Sequence, residues 1–486
     1  MMACMLPASA QRVLTLDSCR AMALRNNKQL IAARLQKDVT YNARKSARTQ
    51  YLPKLDAVGG YQYYSKEISL LNNSQKGALS NLGTNALTNV GSSLEQMLTG
   101  LVQQGAMTPQ SAQQLGQLFQ LVNGPIAQKG NEIGTLIKDA FRTNTHNIWG
   151  GAVMVRQPVF MGGAIIAANR IADINEQLAD NSIDLTRQST LYNIDQAYWT
   201  VVSLRQKKQL AESYRNLVKK LDDDVKKMIK EGVATRAEGL KVDVKVNQAD
   251  MQITQVDNGL SLAKMLLCQL CGLGPDDNVT LADENSESLP LTYSVPTSNN
   301  DSIMNDRPEL RMLQNTVDIS KQNTKLVRAA FLPHVALTGG YLISNPNLFN
   351  GFERKFSGVW NVGVTVQVPV WNWFEGTYKV RASKAATGIA MMELSDAREK
   401  VQLQVTQSRY KLNEAQKRLA MARKNIKSAE ENLRCANIGF KEGVMETTDV
   451  MAAQTAWQEA QSQKIDAEVE VKLAQVGLNK ALGILE

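Results

Sequence analysis

The chain has 486 residues, 21% of them charged and 6% aromatic, and a formal net charge of +9. That balance excludes a disordered chain and departs from an ordinary aromatic-rich core. The positive charge is spread along helical stretches without a dense patch, so a solvated basic surface is expected and a nucleic-acid partner is not.

In chain order, residues 1–10 end on Ala8-Ser9-Ala10, the small-residue close of a secretory signal, and read as the remnant of one. Residues 11–53 are expected to form a first helix. At 54–64, Leu55, Ala57, Gly59, Tyr61 and Tyr63 alternate with Asp56, Gly60 and Gln62, the period of a strand. Its partner is expected at 148–158. The intervening 65–147 form a long insertion, poor in charge. In it Leu94, Met97, Leu98 and Leu101, then Leu115, Leu118, Phe119 and Val122, fall at the spacing of amphipathic helices. This insertion is expected to cap an extracellular mouth, so deleting Gly77 to Gly130 should raise conductance.

Pro158 is expected to end its strand and open a helical hairpin over 159–272, whose apolar residues step by three and four as in a coiled coil. A linker rich in Pro, Asn, Asp and Ser occupies 273–306, with a strand-like piece at 289–295. A helix at 307–333, a second strand pair at 334–371 and a second hairpin at 372–486 complete the order. Val362, Val364, Val366, Val368 and Val370 alternate with Gly363, Thr365 and Gln367, and Pro369 stands at the second strand-to-helix junction.

The second half repeats the first. Tyr51-Leu-Pro-Lys-Leu-Asp-Ala-Val-Gly-Gly-Tyr61 returns as Phe331-Leu-Pro-His-Val-Ala-Leu-Thr-Gly-Gly-Tyr341, an offset of 280 (331 − 51). Gln157-Pro-Val-Phe160 returns as Val368-Pro-Val-Trp371, an offset of 211 (368 − 157), and Lys230-Glu-Gly-Val233 returns as Lys441-Glu-Gly-Val444 at that same offset. The difference, 280 − 211 = 69, is the excess of the first inter-strand segment.

No stretch of about 18 apolar residues is present, so a spanning helix is not expected and a closed barrel is the remaining route through a membrane. Trp149, Phe160, Trp360 and Trp371 suit an aromatic belt at the lipid boundary. Four strands cannot close alone. Pooled by symmetry they make eight in a dimer or twelve in a trimer, and only the larger leaves a lumen.

Five cysteines are present, two of them in a Cys268-x-x-Cys271 inside a helical pattern, with only two histidines in the chain. Structural cysteines fit better than a redox or zinc site, so no metal or cofactor is expected. Gly232 and Gly443 are placed to end the outgoing helices, with Thr235 and Thr447 as caps of the returning ones.

The Pro-Val-Phe160 and Pro-Val-Trp371 junctions, the Leu-Pro pairs at 52–53 and 332–333 and the glycine-centred turns resemble the TolC family of outer-membrane efflux and secretion channels, over about Leu14 to Leu482. The resemblance implies a mainly α protein with a membrane β-barrel. Four strands per chain would contribute to a trimeric twelve-stranded barrel, continued by a coiled-coil α-helical periplasmic tube. It implies a homotrimer set in outer-membrane lipid and docked to a periplasmic adaptor (membrane-fusion) protein and an inner-membrane transporter. It also implies a constriction at the hairpin turns. Asp449 occupies the position of a family gate aspartate, Glu238 its equivalent in the first copy, and Arg236 lies nearby; a second family aspartate is replaced by Ala452, and a family basic residue by Met445. No phosphate loop, HExxH or GxSxG occurs, and a passive duct rather than an enzyme is expected. The alternatives are a coiled-coil periplasmic adaptor or structural protein, which would lack membrane-length strands, and a self-contained pore-forming toxin.

Overall fold

The fold is described from a computed structural model covering residues 12–66, 70–80, 127–141, 145–275, 277–286, 307–350 and 353–485, with isolated positions between 82 and 111 and at Thr143. In chain order these form β1 (Arg12–Leu14), α1 (Leu16–Asn26), α2 (Lys28–Arg48), β2 (Lys54–Tyr63), α3 (Asn73–Ser80), α4 (Ala127–Ala140), β3 (Asn147–Met161), α5 (Ala164–Lys230), α6 (Arg236–Cys271), β4 (Val279–Leu281), α7 (Pro308–Ala329), β5 (His334–Asn345), β6 (Ser357–Gln367), α8 (Glu375–Lys441) and α9 (Thr447–Leu482). No helix among the described residues is long and apolar enough to cross a membrane.

The chain divides into two compact units. One comprises residues 1–47, 166–327 and 374–486; the other comprises 48–165 and 328–373.

The first unit is helical. α5 and α8 are each 67 residues long, about 100 Å at the helical rise, and α6 and α9 are each 36. Both pairs start 211 residues apart (375 − 164 and 447 − 236), so the sequence repeat is a repeat of whole elements. Helices this long bury only a stripe each, and their core is a series of clusters along their length. One gathers Cys19, Ile194, Tyr198, Val201, Leu267, Cys271, Val279 and Leu281. Another joins α5 and α6 to α8 and α9 through Val218, Val225, Val242, Leu433, Ala436 and Val450. A third runs between α8 and α9 through Leu412, Ala415, Leu419, Ala467, Val471 and Leu478.

Three corrections to the sequence reading belong to this unit. The first helix is two helices, because Asn27 turns its side chain onto the amides of Gln29 and Leu30 and caps a new helix there. Residues 12–14 are a strand, paired in parallel with 279–281, where no strand is expected; the strand-like piece at 289–295 lies outside the described residues. The turn after β4 is pinned by buried chemistry instead. Glu284 accepts from the Leu281 amide and from Lys264, and Tyr198 donates to Asp283. Lastly, the cap of α9 is Glu446 rather than Thr447, as set out below.

The second unit holds an antiparallel sheet in the order β2-β3-β5-β6. Tyr61 lies opposite Trp149, and Tyr341, 280 residues after Tyr61, lies opposite Trp360, 211 after Trp149. The duplication therefore extends to a cross-strand Tyr–Trp pair. Pro158 sits inside β3, which runs on to Met161, and does not end it. Two features make a proline tolerable there: β2 pairs only as far as Arg156, and the β3–β5 register shifts between Pro158 and Phe160. The helix accordingly begins at Ala164, not 159. β6 ends at Gln367, so Pro369 and Trp371 follow the strand in an irregular link. At that link Trp373 and Phe374 adopt φ of 46° and 64°, where the first copy has Gly162 and Gly163 at 60° and 86°. Beside the sheet, α3 and α4 pack Leu71, Leu79, Leu82, Ile137 and Phe141 into a small core of their own. The amphipathic run at 115–122 and most of that at 94–101 lie outside the described residues.

Candidate functional site

Two features stand out: the turns that reverse the long helices, and the two faces of the sheet. The turns are built alike. At the end of α5 the Val233 amide donates to the Met228 carbonyl at 2.9 Å and the Gly232 amide to Ile229 at 3.1 Å. At the end of α8 the Val444 amide donates to Gly439 at 2.9 Å and the Gly443 amide to Phe440 at 3.2 Å. This pair of bonds closes a helix only if the residue between is left-handed, and Gly232 and Gly443 have φ of 76° and 74°.

The returning helices begin with reciprocal caps. Thr235 accepts from the Glu238 amide, and the Glu238 carboxylate accepts from the Thr235 amide at 2.8 Å. In the second copy the Glu446 side chain takes the threonine's place, and Asp449 accepts from the Glu446 amide at 3.2 Å. A carboxylate at the helix start also faces the positive end of the helix dipole. Asp449 is exposed, Glu238 is half-buried and Arg236 is exposed. A bridge from Lys226 to Asp222 (2.6 Å) and Asp243 (3.2 Å) ties α5 to α6 just behind the first turn, and these two carboxylates raise the lysine's pKa. One apolar cluster spans both hairpins behind their turns. Beyond it Val233 and Val444 are 72% and 79% exposed.

The sheet is amphipathic across all four strands. Paired residues of an antiparallel ladder share a face. The register puts Leu55, Ala57, Tyr61, Trp149, Val153, Val155, Leu337, Tyr341, Trp360, Val362 and Val364 on one face. Lys54, Asp56, Gln62, Arg156, Thr338, Asn361 and Thr365 fall on the other. No charged residue interrupts the first face. It is not a covered core: Val362 is 77% and Trp360 76% exposed, and Trp149 packs on Tyr61 at a tilt of 41° with ring centres 4.5 Å apart while half-exposed. Phe160 and Trp371 are likewise exposed, and Trp371 meets Trp373 edge-on at 5.8 Å.

Residues 301–484 match the family model described as "Outer membrane efflux protein". That stretch of the chain is thus similar to the outer membrane efflux protein family. Curated proteins named by function are similar to the chain as well. The alkaline protease secretion protein AprF of Pseudomonas aeruginosa is 23% identical over 240 residues, 49% of each chain. The outer membrane efflux protein BepC of Brucella suis is 24% identical over 296 residues, 61% of this chain and 63% of the relative. The chain thus spans half to under two-thirds of the length of these curated relatives. Among solved structures, the outer membrane protein VceC from Vibrio cholerae superposes with a TM-score of 0.70 over 96% of both chains at 14% identity. The fold of VceC is therefore shared over nearly the whole chain where the sequences have diverged.

Sequence reasoning passed over the ion pair that fastens α1 to α5. Arg20 donates to both oxygens of Asp195, at 2.7 and 2.5 Å, and Asp195 is fully buried. It also passed over Arg307, which is 4% exposed and donates to the Ala481 carbonyl at the end of α9. An unpaired charge in a helical stripe is the only sign either residue leaves in the sequence.

Proposed function

We propose that the chain is one protomer of a passive outer-membrane exit duct for a tripartite efflux or type I secretion system. Three copies close a twelve-stranded barrel, each lending β2-β3-β5-β6, and the long helices form the periplasmic conduit. A periplasmic adaptor and an inner-membrane transporter supply the cargo and the energy, and the chain itself catalyses nothing.

The carrying observation is the amphipathic sheet with two open edges. Among the described residues β2 and β6 each have one partner in the sheet. In lipid every unpaired backbone group costs several kcal/mol, so an uncharged exposed face and open edges are compatible only if the edges are paired by further copies. Pairing β6 of one protomer with β2 of the next satisfies both edges and turns the Lys54–Asp56–Arg156 face into a wet lumen. The names of AprF and BepC, a secretion and an efflux protein, favour the same class of work.

At the hairpin turns, Asp449 and Glu238, with Arg236 beside them, supply charge to a constriction that each protomer lines once. Gly232 and Gly443 set the turn geometry on which that ring depends. Trp149, Phe160, Trp360 and Trp371 anchor the barrel at the lipid boundary. Purified protein added to a planar bilayer is expected to give stepwise ionic conductance without nucleotide. Failure to conduct in the folded, detergent-extracted state would sink the duct reading.

A further inference from the structure

Cys19 on α1 and Cys271, the last residue of α6, are fully buried in one cluster, and both are free thiols. The Cys271 thiol donates to the Cys19 carbonyl oxygen across 3.9 Å, which sets the two cysteine side chains beside one another. The surrounding backbone is fixed. Asn26, at the end of α1, donates to the Cys271 carbonyl at 2.9 Å, and a Cβ on Gly272 would stand 2.4 Å from that of Asn26. Only glycine at 272, with φ of 75°, lets the two helix ends approach so closely.

We propose that Cys19 and Cys271 form a disulfide in the exported chain, tying α1 to the end of α6. Cys268 is the poorer partner for either. It lies one turn from Cys271 on the same helix, where side chains start about 5–6 Å apart at Cβ, beyond the roughly 3.5–4.5 Å a disulfide spans. Its thiol is turned instead toward the Asp277 carbonyl. The inference rests on the outer-membrane reading, since only beyond the inner membrane is the compartment oxidising.

The bond forms by exchange with a disulfide oxidant, either a dithiol oxidase or oxidised glutathione. The thiolate of one cysteine opens the oxidant's S–S bond and gives a mixed disulfide. The second cysteine, deprotonated, attacks the chain's sulfur in it, and the oxidant leaves reduced with the two electrons and two protons. The neighbouring Cys271 thiol holds the pKa of the Cys19 thiol below its ordinary value, which favours Cys19 as the attacking group. Both sulfurs are sealed once the cluster packs, so exchange occurs during folding.

The test is peptide mapping, without reductant, of the full chain recovered from the outer-membrane fraction and alkylated under denaturation. The expected result is a Cys19–Cys271 linked peptide that dithiothreitol separates. Cys268→Ala should keep the link, and Cys19→Ala should abolish it while the chain still reaches the outer membrane. Outer-membrane protein with both cysteines alkylated overturns the disulfide and leaves the duct reading intact. A link through Cys268 also overturns the pairing. Recovery of the chain only in the cytosolic fraction overturns the duct reading and this inference together.

Discussion

Asp449 has two occupations at once: it closes the cap of α9 on the Glu446 amide, and its exposed carboxylate is the best-placed charge for a ring at the turns. The two roles make different predictions. If the ring narrows the pore, Asp449→Ala should raise single-channel conductance and weaken blockade by divalent cations. If the residue only caps, conductance stays unchanged and the helix loses about 1 kcal/mol. We expect the first, read in a planar bilayer. A second residue-scale prediction concerns Asp195. Its two hydrogen bonds hold Arg20 charged, raising the guanidinium pKa further. Asp195→Ala should destabilise the helical unit by about 3 kcal/mol, because it leaves Arg20 partly buried without its partner. Thermal unfolding followed by circular dichroism measures it, and a change below about 0.5 kcal/mol would show the pair to be dispensable.

Among the elements, the four helix ends that reverse or stop the hairpins share one geometry. Gly232, Gly272, Gly443 and Gly483 all have φ between 75° and 77° or close below, at 74° for Gly443. Gly232→Ala and Gly443→Ala should each cost about 1–2 kcal/mol, since alanine must enter the left-handed region. A Gly232→Asn variant should recover part of that loss, and equal melting temperatures for all three proteins would contradict the argument. These turns were legible in the sequence because Lys-Glu-Gly-Val occurs twice at a fixed offset and glycine has a local reason to be there. The strands were legible through alternation. Where the signal was not local, the reading failed. The three-residue pairing of β1 with β4 joins positions 267 apart (279 − 12) and leaves no periodicity. Pro158 suggested a strand end, yet tolerance depended on how far β2 extends. Trp373 and Phe374 stand where the first copy has two glycines, so the left-handed link of the second copy has no compositional sign. Glu446, not Thr447, is the cap because it stands 211 residues after Thr235 (446 − 235), and its side chain accepts from the Asp449 amide as Thr235 accepts from that of Glu238.

For the whole molecule, the physical problem is one of incomplete closure. In the proposed duct the four strands, uncharged on one face and charged on the other, with β2 and β6 at the margins, are a fraction of a barrel. On that proposal symmetry supplies the rest, and of eight or twelve strands only the larger number encloses an aqueous lumen. A pairing-breaking change at an edge should therefore act on assembly before it acts on the fold of the chain. Val364→Pro in β6 is expected to reduce assembled complexes and leave the helical signal largely intact; full assembly of that variant would argue against edge pairing. The most direct test of the duct is the native mass of the detergent-extracted complex. The account predicts three chains of 53.6 kDa each in one particle, with no second protein required. A particle of one or two chains that still inserts into bilayers and conducts would contradict it.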